Sequence, residues 1–193
     1  MMKKIFVTFL MMLMCITVSA QQDVFRKAVA RYKKVASVTA SVVKTTHKNA
    51  IATDQVDKGV LTMKKPTEVS IVIDGGKDQL LMQGSTFTMV VKGKKHTTSS
   101  ESNPQFASFQ TVFESILSGG AKDITALKDL SMTQNGNKLL LTITPVAEGK
   151  KAKRMLFSSF VLTIDTQTSE LKSLRMNERG GYTEYVFSNY KYN

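Results

Sequence analysis

Gly59-Val60-Leu61-Thr62-Met63-Lys64-Lys65-Pro66 is followed, after Thr67, by Glu68-Val69-Ser70-Ile71-Val72-Ile73-Asp74-Gly75-Gly76. Leu61 and Met63 share one face of the first run, and Val56 and Val60 lie on the opposite one. A period of two is the signature of a strand. Pro66 ends that run because it has no N–H to give a ladder and pushes the residue before it away from helical geometry. Lys65-Pro66 therefore turns the chain into Glu68–Asp74, and Asp74-Gly75-Gly76 turns it again in hairpin fashion.

The same pattern continues outward in both directions. Val38–Thr46 alternates weakly, while Asp78–Gln83 and Ser85–Val91 are separated by Gly84. Lys92-Gly93-Lys94 leads into a short polar strand near His96–Ser99. Further on, Leu130–Gln134 and Lys138–Thr144 flank Asn135-Gly136, a strong hairpin signal. Phe157–Asp165, Leu171–Asn177 and Tyr182–Tyr190 complete a set of about ten or eleven strands.

One segment breaks the series. Asn103 is placed to cap a helix that Pro104 opens, a position where the missing N–H costs nothing. Phe106, Phe109, Val112, Phe113, Ile116 and Leu117 fall on one stripe, and Gly119-Gly120 stops the helix near Ser118. An earlier stripe of Val24, Phe25, Ala28, Val29 and Tyr32 predicts a helix from a cap at Asp23 to about Val35.

Residues 1–20 read as a secretory signal peptide. Lys3 and Lys4 precede the apolar run Ile5–Val18, and Val18-Ser19-Ala20 is a small-residue cleavage site. Cys15 lies within that run and leaves with it. Residues 21–193 then form one exported domain, cleaved after Ala20, with no cysteine for disulfide or thiolate chemistry.

The chain carries a formal net charge of +12. Its densest cationic spots are Lys92/Lys94/Lys95 and Lys150/Lys151/Lys153/Arg154. They read either as attraction to anionic lipid headgroups or an acidic partner, or as solvated loops. Nucleic acid is a poor fit, since these clusters are not interleaved with aromatics and the protein is exported.

No catalytic constellation is visible. His47 and His96 are the only histidines, and neither belongs to a spaced motif. Ser85 and Ser118 lie near glycines but outside a nucleophile elbow. No metal-ligand spacing and no cofactor motif occurs. The reading is of a protein that is not an enzyme. An outer-membrane barrel is disfavoured because the Pro104–Ser118 helix would interrupt it.

A long antiparallel sheet with one dry face must curl and cover that face. The expected fold is mainly β (α+β): an unclosed antiparallel β-barrel whose helices cover the concave apolar face. Two helices with one stripe each leave room for a cavity. An acyl chain gains roughly 0.8 kcal/mol per buried CH₂, so a sixteen-carbon chain supplies on the order of ten kcal/mol without polar chemistry. Methionines suit such a lining because they adapt to irregular shapes, and Met63, Met82, Met89, Met132, Met155 and Met176 lie beyond the signal segment.

The order of segments resembles the LolA-like family of periplasmic outer-membrane lipoprotein carriers. The likeness rests on Gly59-x-Leu61 running to Pro66, on Asp74-Gly75-Gly76, on Gly84-Ser85-Thr86-Phe87, on the mid-chain helix, and on Gly181-Tyr182-Thr183-Glu184-Tyr185-Val186-Phe187-Ser188-Asn189. It implies a periplasmic carrier that takes acylated lipoproteins, or another lipid, from an inner-membrane releasing transporter to an outer-membrane acceptor. A lipid-binding sensor or interaction domain of the same shape is the alternative. Candidate lining residues are Leu61, Met63, Val69, Ile71, Phe87 and Met89. On the far strands and the lid they are Leu141, Leu162, Phe106, Phe109 and Phe113. The resemblance places a lid latch at the residue before the proline. That residue is Lys65, which lacks the planar fork of the family's arginine.

Overall fold

The computed structural model describes residues 20–103, 106–146 and 155–193. Eleven strands within them form one antiparallel sheet. They are β1 (Ser37–Lys48), β2 (Gln55–Lys64), β3 (Glu68–Ile73), β4 (Asp78–Gln83), β5 (Thr86–Val91) and β6 (Lys94–Ser99), then β7 (Leu130–Asn135), β8 (Lys138–Ile143), β9 (Ser159–Asp165), β10 (Glu170–Glu178) and β11 (Gly181–Tyr192). The order across the sheet is β6-β5-β4-β3-β2-β1-β11-β10-β9-β8-β7. Two meanders are thus joined at the centre by the first and last strands, which pair through Val42↔Phe187 and Lys44↔Tyr185. β6 and β7 are the two edges and do not pair with each other, so the barrel is unclosed.

Alternation decides which face is dry. Val38, Ala40 and Val42 of β1 are buried, as are Leu61 and Met63 of β2 and Val69, Ile71 and Ile73 of β3. Register carries that row on, with Leu61 opposite Ile71 and Ile71 opposite Leu80. On the convex side Val56 and Val60 are exposed, and so are Val43 and Val186, which oppose each other across β1 and β11. Gly59, the first residue of the stretch quoted above, has β3 against it: a Cβ there would lie 2.1 Å from the carbonyl oxygen of Val72.

Two helical segments cover the concave side. α1 comprises residues 20–28 and runs into a 3-10 turn at Ala30–Lys34. It buries Phe25, Ala28, Val29 and Tyr32, as its stripe predicts. Asp23 does not cap it, because helical backbone already extends upstream to residue 20. Asp23 instead lies 3.7 Å from Arg26, one turn on. α2 spans Ala107–Leu117. Asn103 does not cap it either, since the residue at its N-cap is Phe106, whose side chain makes no capping bond. The expected opening at Pro104 lies outside the described residues.

The helices are tied to each other and to the sheet by specific bonds. Ser115 Oγ on α2 and Gln22 Nε2 on α1 both donate to the Lys122 carbonyl, at 2.7 and 3.2 Å. Ser100 Oγ, just after β6, donates to Gln110 Oε1 at 2.5 Å. Ser108 Oγ donates to Asp129 Oδ1, just before β7, at 2.6 Å. α2 therefore bridges the space between the two edges. Near α1 the β10–β11 ladder begins only at Ser173, and β10 shifts its register against β9 between Leu171 and Ser173. There the Leu171 N–H donates to the Tyr32 hydroxyl at 3.2 Å, and the Tyr190 hydroxyl donates to the Leu171 carbonyl. Side chains thus complete a ladder that the bulge leaves open.

Gly119 sets how closely the end of α2 approaches the 3-10 turn that follows α1. Its φ is +68°, and a Cβ there would lie 2.5 Å from Lys33 Cβ and 2.8 Å from the Lys33 amide nitrogen. Gly119→Ala combines left-handed strain with overpacking against backbone. The expected loss is about 2–4 kcal/mol of stability, read as a lower urea midpoint at unchanged slope. A midpoint equal to the parent's would mean that the end of α2 and the 3-10 turn are not docked in solution.

Candidate functional site

The concave face has two zones. Under α2 it is filled with aromatic rings. Phe87 of β5 stacks on Phe106 with centroids 4.7 Å apart, and Phe109 meets Phe113 and Phe160 at 4.8 Å each. Such offset and tilted pairs exceed plain area burial in strength. Leu61, Met63, Val69 and Ile71 on one side, and Leu141 and Leu162 on the other, belong to the same buried cluster. The expected lining and lid residues are therefore brought together, and all but Met89 are buried.

Met89 is half-buried and borders the second zone. This is a cavity of about 810 Å³ at the end of the sheet where β1, β3, β5 and β10 finish. Its apolar wall includes Ile73, Met89, Met176 and Tyr185. Each continues an inward row of the core, as Ile73 follows Ile71 and Tyr185 precedes Phe187. The cavity is thus the unfilled remainder of the same concave face. Its volume falls within the range of small-molecule sites, about 300–1,000 Å³.

Charged side chains in opposite-sign pairs surround this wall. Lys44, 8% exposed, is the most buried of them. Its ammonium bonds the Asp78 carboxylate across β2 and β3. Lys48 Nζ donates to Glu178 Oε2 at 2.5 Å, and Lys77 Nζ to Asp74 Oδ2 at 2.7 Å. Sequence reasoning missed this zone, though its signal was the weak alternation of Val38–Thr46. Lys44 and Thr46 follow Val42 on the inward face and line the cavity.

Burial opposes ionisation of Asp78, but the hydrogen bond from Lys44 and one from the Lys92 N–H, at 2.8 Å, outweigh it. The carboxyl is held below its ordinary value. Burial pushes the Tyr185 phenol upward, and the charges of Asp78 and Glu178 add to the rise.

Lys65 Nζ donates to the Lys33 carbonyl at 2.8 Å. The residue at the latch position thus ties the β2–β3 turn to the 3-10 turn after α1, through a single bond. His47 Nδ1 lies 2.7 Å from Asp54 Oδ1, and its ring stacks on Tyr182. His96 is exposed on β6. Among the described residues no group of three or more side chains is arranged to hold a metal ion, and no helix is long and apolar enough to cross a membrane. The cationic cluster at Lys150/Lys151/Lys153/Arg154 lies outside the described residues.

The ion pair at the cavity floor has a pH signature. Since the Asp78 pKa is depressed on folding, its contribution is present above the ordinary carboxylate pKa. It is lost as pH falls through the lowered, folded value. Asp78→Asn leaves Lys44 without its partner and is expected to cost about 1–3 kcal/mol near neutral pH. The gap to the parent should narrow under acid in urea unfolding measured from pH 7 to pH 2. A gap that is constant across that range would show that the pair does not couple to folding.

No protein-family model matches the chain, and no curated protein does. Solved structures do match over most of its length. A DUF1329 family protein from Desulfovibrio piger is 14% identical with a TM-score of 0.45, covering 91% of this chain and 93% of its own. An outer-membrane lipoprotein-sorting protein domain from Vibrio parahaemolyticus is 11% identical with a TM-score of 0.46 and the same coverages. A LolA superfamily protein from Nitrosomonas europaea is 10% identical with a TM-score of 0.40, covering 89% of this chain and 93% of its own. The likeness extends to no individual side chain.

Proposed function

We propose that this chain is a non-enzymatic carrier that holds the acyl chains of a lipoprotein or lipid against its concave face. In this reading it works in the periplasm, receiving cargo from an inner-membrane releasing transporter and passing it to an outer-membrane acceptor. The observation that carries the reading is the continuity of a dry concave face with an 810 Å³ cavity at one end, the rest being covered by a helix that spans two free edges. A chain entering at the cavity runs along Ile73 and Met89 toward the rings of α2. Its further carbons take the places of Phe106, Phe109 and Phe113 as α2 shifts outward.

The energetics permit such an exchange. Burying the apolar stripe of α2 gains on the order of ten to twenty kcal/mol, and ordering its eleven residues costs a similar amount. The helix is therefore held by a small difference. An acyl tail that supplies roughly 0.8 kcal/mol per CH₂ can replace it.

A disulfide that pins α2 to the β7 side tests the reading. Ser108→Cys with Asp129→Cys places two thiols where a side-chain hydrogen bond of 2.6 Å now joins short residues. Beyond the signal segment there is no other cysteine to interfere. The oxidised protein is expected to bind a sixteen-carbon fluorescent fatty acid at least tenfold more weakly than the reduced one. An eight-carbon probe should bind both forms alike. Equal sixteen-carbon affinity in the two redox forms, or no binding by the parent, would refute the carrier with a movable helix.

A further inference from the structure

Four turns close one end of the sheet, and the cavity reaches them. They are residues 49–54 between β1 and β2, 74–77 between β3 and β4, 92–93 between β5 and β6, and 179–180 between β10 and β11. Ile51, Lys77 and Lys92 from three of these turns line the cavity, as does Val91 at the end of β5. The turns are therefore its rim.

The rim presents apolar side chains to water. The first turn reads Asn49-Ala50-Ile51-Ala52-Thr53-Asp54, and every residue in it is exposed. Ile51 is 58% exposed and Val91 44%. The turn has a fixed shape, since the Ile51 N–H donates to the Lys48 carbonyl at 2.9 Å and His47 Nδ1 lies 2.7 Å from Asp54 Oδ1. Exposed apolar side chains held at the mouth of a cavity mark an interaction site.

Charge at the rim favours an anionic partner. Its acids are engaged from within: Asp78 by Lys44, Glu178 by Lys48, Asp74 by Lys77 and Asp54 by His47. Asp57 lies in the field of Lys77, and Lys92 in that of Asp78. Lys94, Lys95 and Arg179 are exposed, and among the described residues none has an ion-pair partner. Lys94 opposes Val91 across β5 and β6, so a free cation stands beside an exposed apolar side chain.

Apolar tips flanked by cations suit the boundary of an anionic bilayer, where the tips enter the headgroup layer and the cations meet phosphates. An acidic protein suits them less. Ile51 and Val91 border a hollow, whereas the core of a protein interface needs a packed patch. We propose that this rim docks on an anionic lipid bilayer, with Ile51 and Val91 in the headgroup layer and Lys94 and Arg179 against its phosphates. Docked in this way, the cavity opens toward the acyl layer, and a tail passes between bilayer and concave face without crossing water. The proposal deepens the acyl-binding reading and rests on it for the destination of the tail.

Flotation with lipid vesicles tests it, using protein purified after export. The vesicles are phosphatidylcholine alone or with about one third phosphatidylglycerol, whose charge attracts exposed lysines. At about 0.15 M salt the field of the whole chain is screened beyond about 8 Å. The parent is expected to bind the anionic vesicles at least about tenfold more tightly than the neutral ones. Ile51→Ser should weaken that binding about threefold to tenfold, and Lys94→Glu at least about fivefold. Val60→Ser and Lys191→Glu make matched changes on the convex side and should leave it unchanged. All four positions are exposed, so the variants keep the fold. Equal binding to both vesicles, an affinity unchanged by either rim variant, or equal losses in the rim and convex variants overturns the docking proposal. A parent that ignores vesicles yet binds the sixteen-carbon fatty acid overturns docking alone. A parent that binds neither overturns the acyl-binding reading as well.

Discussion

A wide antiparallel sheet that is dry on one side cannot exist alone in water, and the cover over that side is the constraint on which this molecule depends. Eleven strands supply a concave face with one row of apolar residues after another. α2 answers it with a single stripe of large side chains. Because the stripe is concentrated in Phe106, Phe109 and Phe113, it covers the centre of the face and leaves one end of the hollow open. Closure of the barrel by β6 and β7 would have removed the need for a helix and the space for a guest.

The transition between the filled and unfilled zones is chemical as well as geometric. Moving along β1 from Val38 to Lys44, the inward positions change from apolar to charged, and Asp78 makes the same change on β4. Burying a lysine without an opposite charge is costly, so Lys44 is tolerable there only with its carboxylate partner. The pair also prevents the core from collapsing into the hollow, since neither side chain can be pulled inward without losing the other. What would be a packing fault in a closed barrel is here the boundary of a chamber.

Much of this architecture is legible in the chain. β4 starts and stops at the residues that alternation and turn chemistry indicate, and β3, β7 and β8 differ by a residue at one end. Short polar turns and a strict period leave little freedom in such segments. Helix starts are less legible, because capping rules weigh local side-chain bonds. Here tertiary contacts decide: Gln22 and Phe25 are buried by docking, which carries helical structure past Asp23. The apolar members of the site were recognisable as an inward-facing set. Its polar members were not, because Asp57, Asp78 and Lys92 are far apart in sequence and look like ordinary turn and surface charges. Only the curl of the sheet assembles them around one space. The weak period of Val38–Thr46 was the single local trace, a strand whose inner face changes character along its length.

The two free borders of the sheet are not equivalent. β6 opens with Lys94-Lys95-His96, so a neighbouring molecule that tried to extend the sheet there would bring like charges together. β7 reads Leu130-Ser131-Met132-Thr133-Gln134-Asn135 and carries no such guard in its six residues. Self-association by strand addition at high concentration would therefore proceed from β7 in one direction. Molecules would meet through their β7 borders as closed pairs, because growth into a fibre needs a second permissive border, and β6 withholds it.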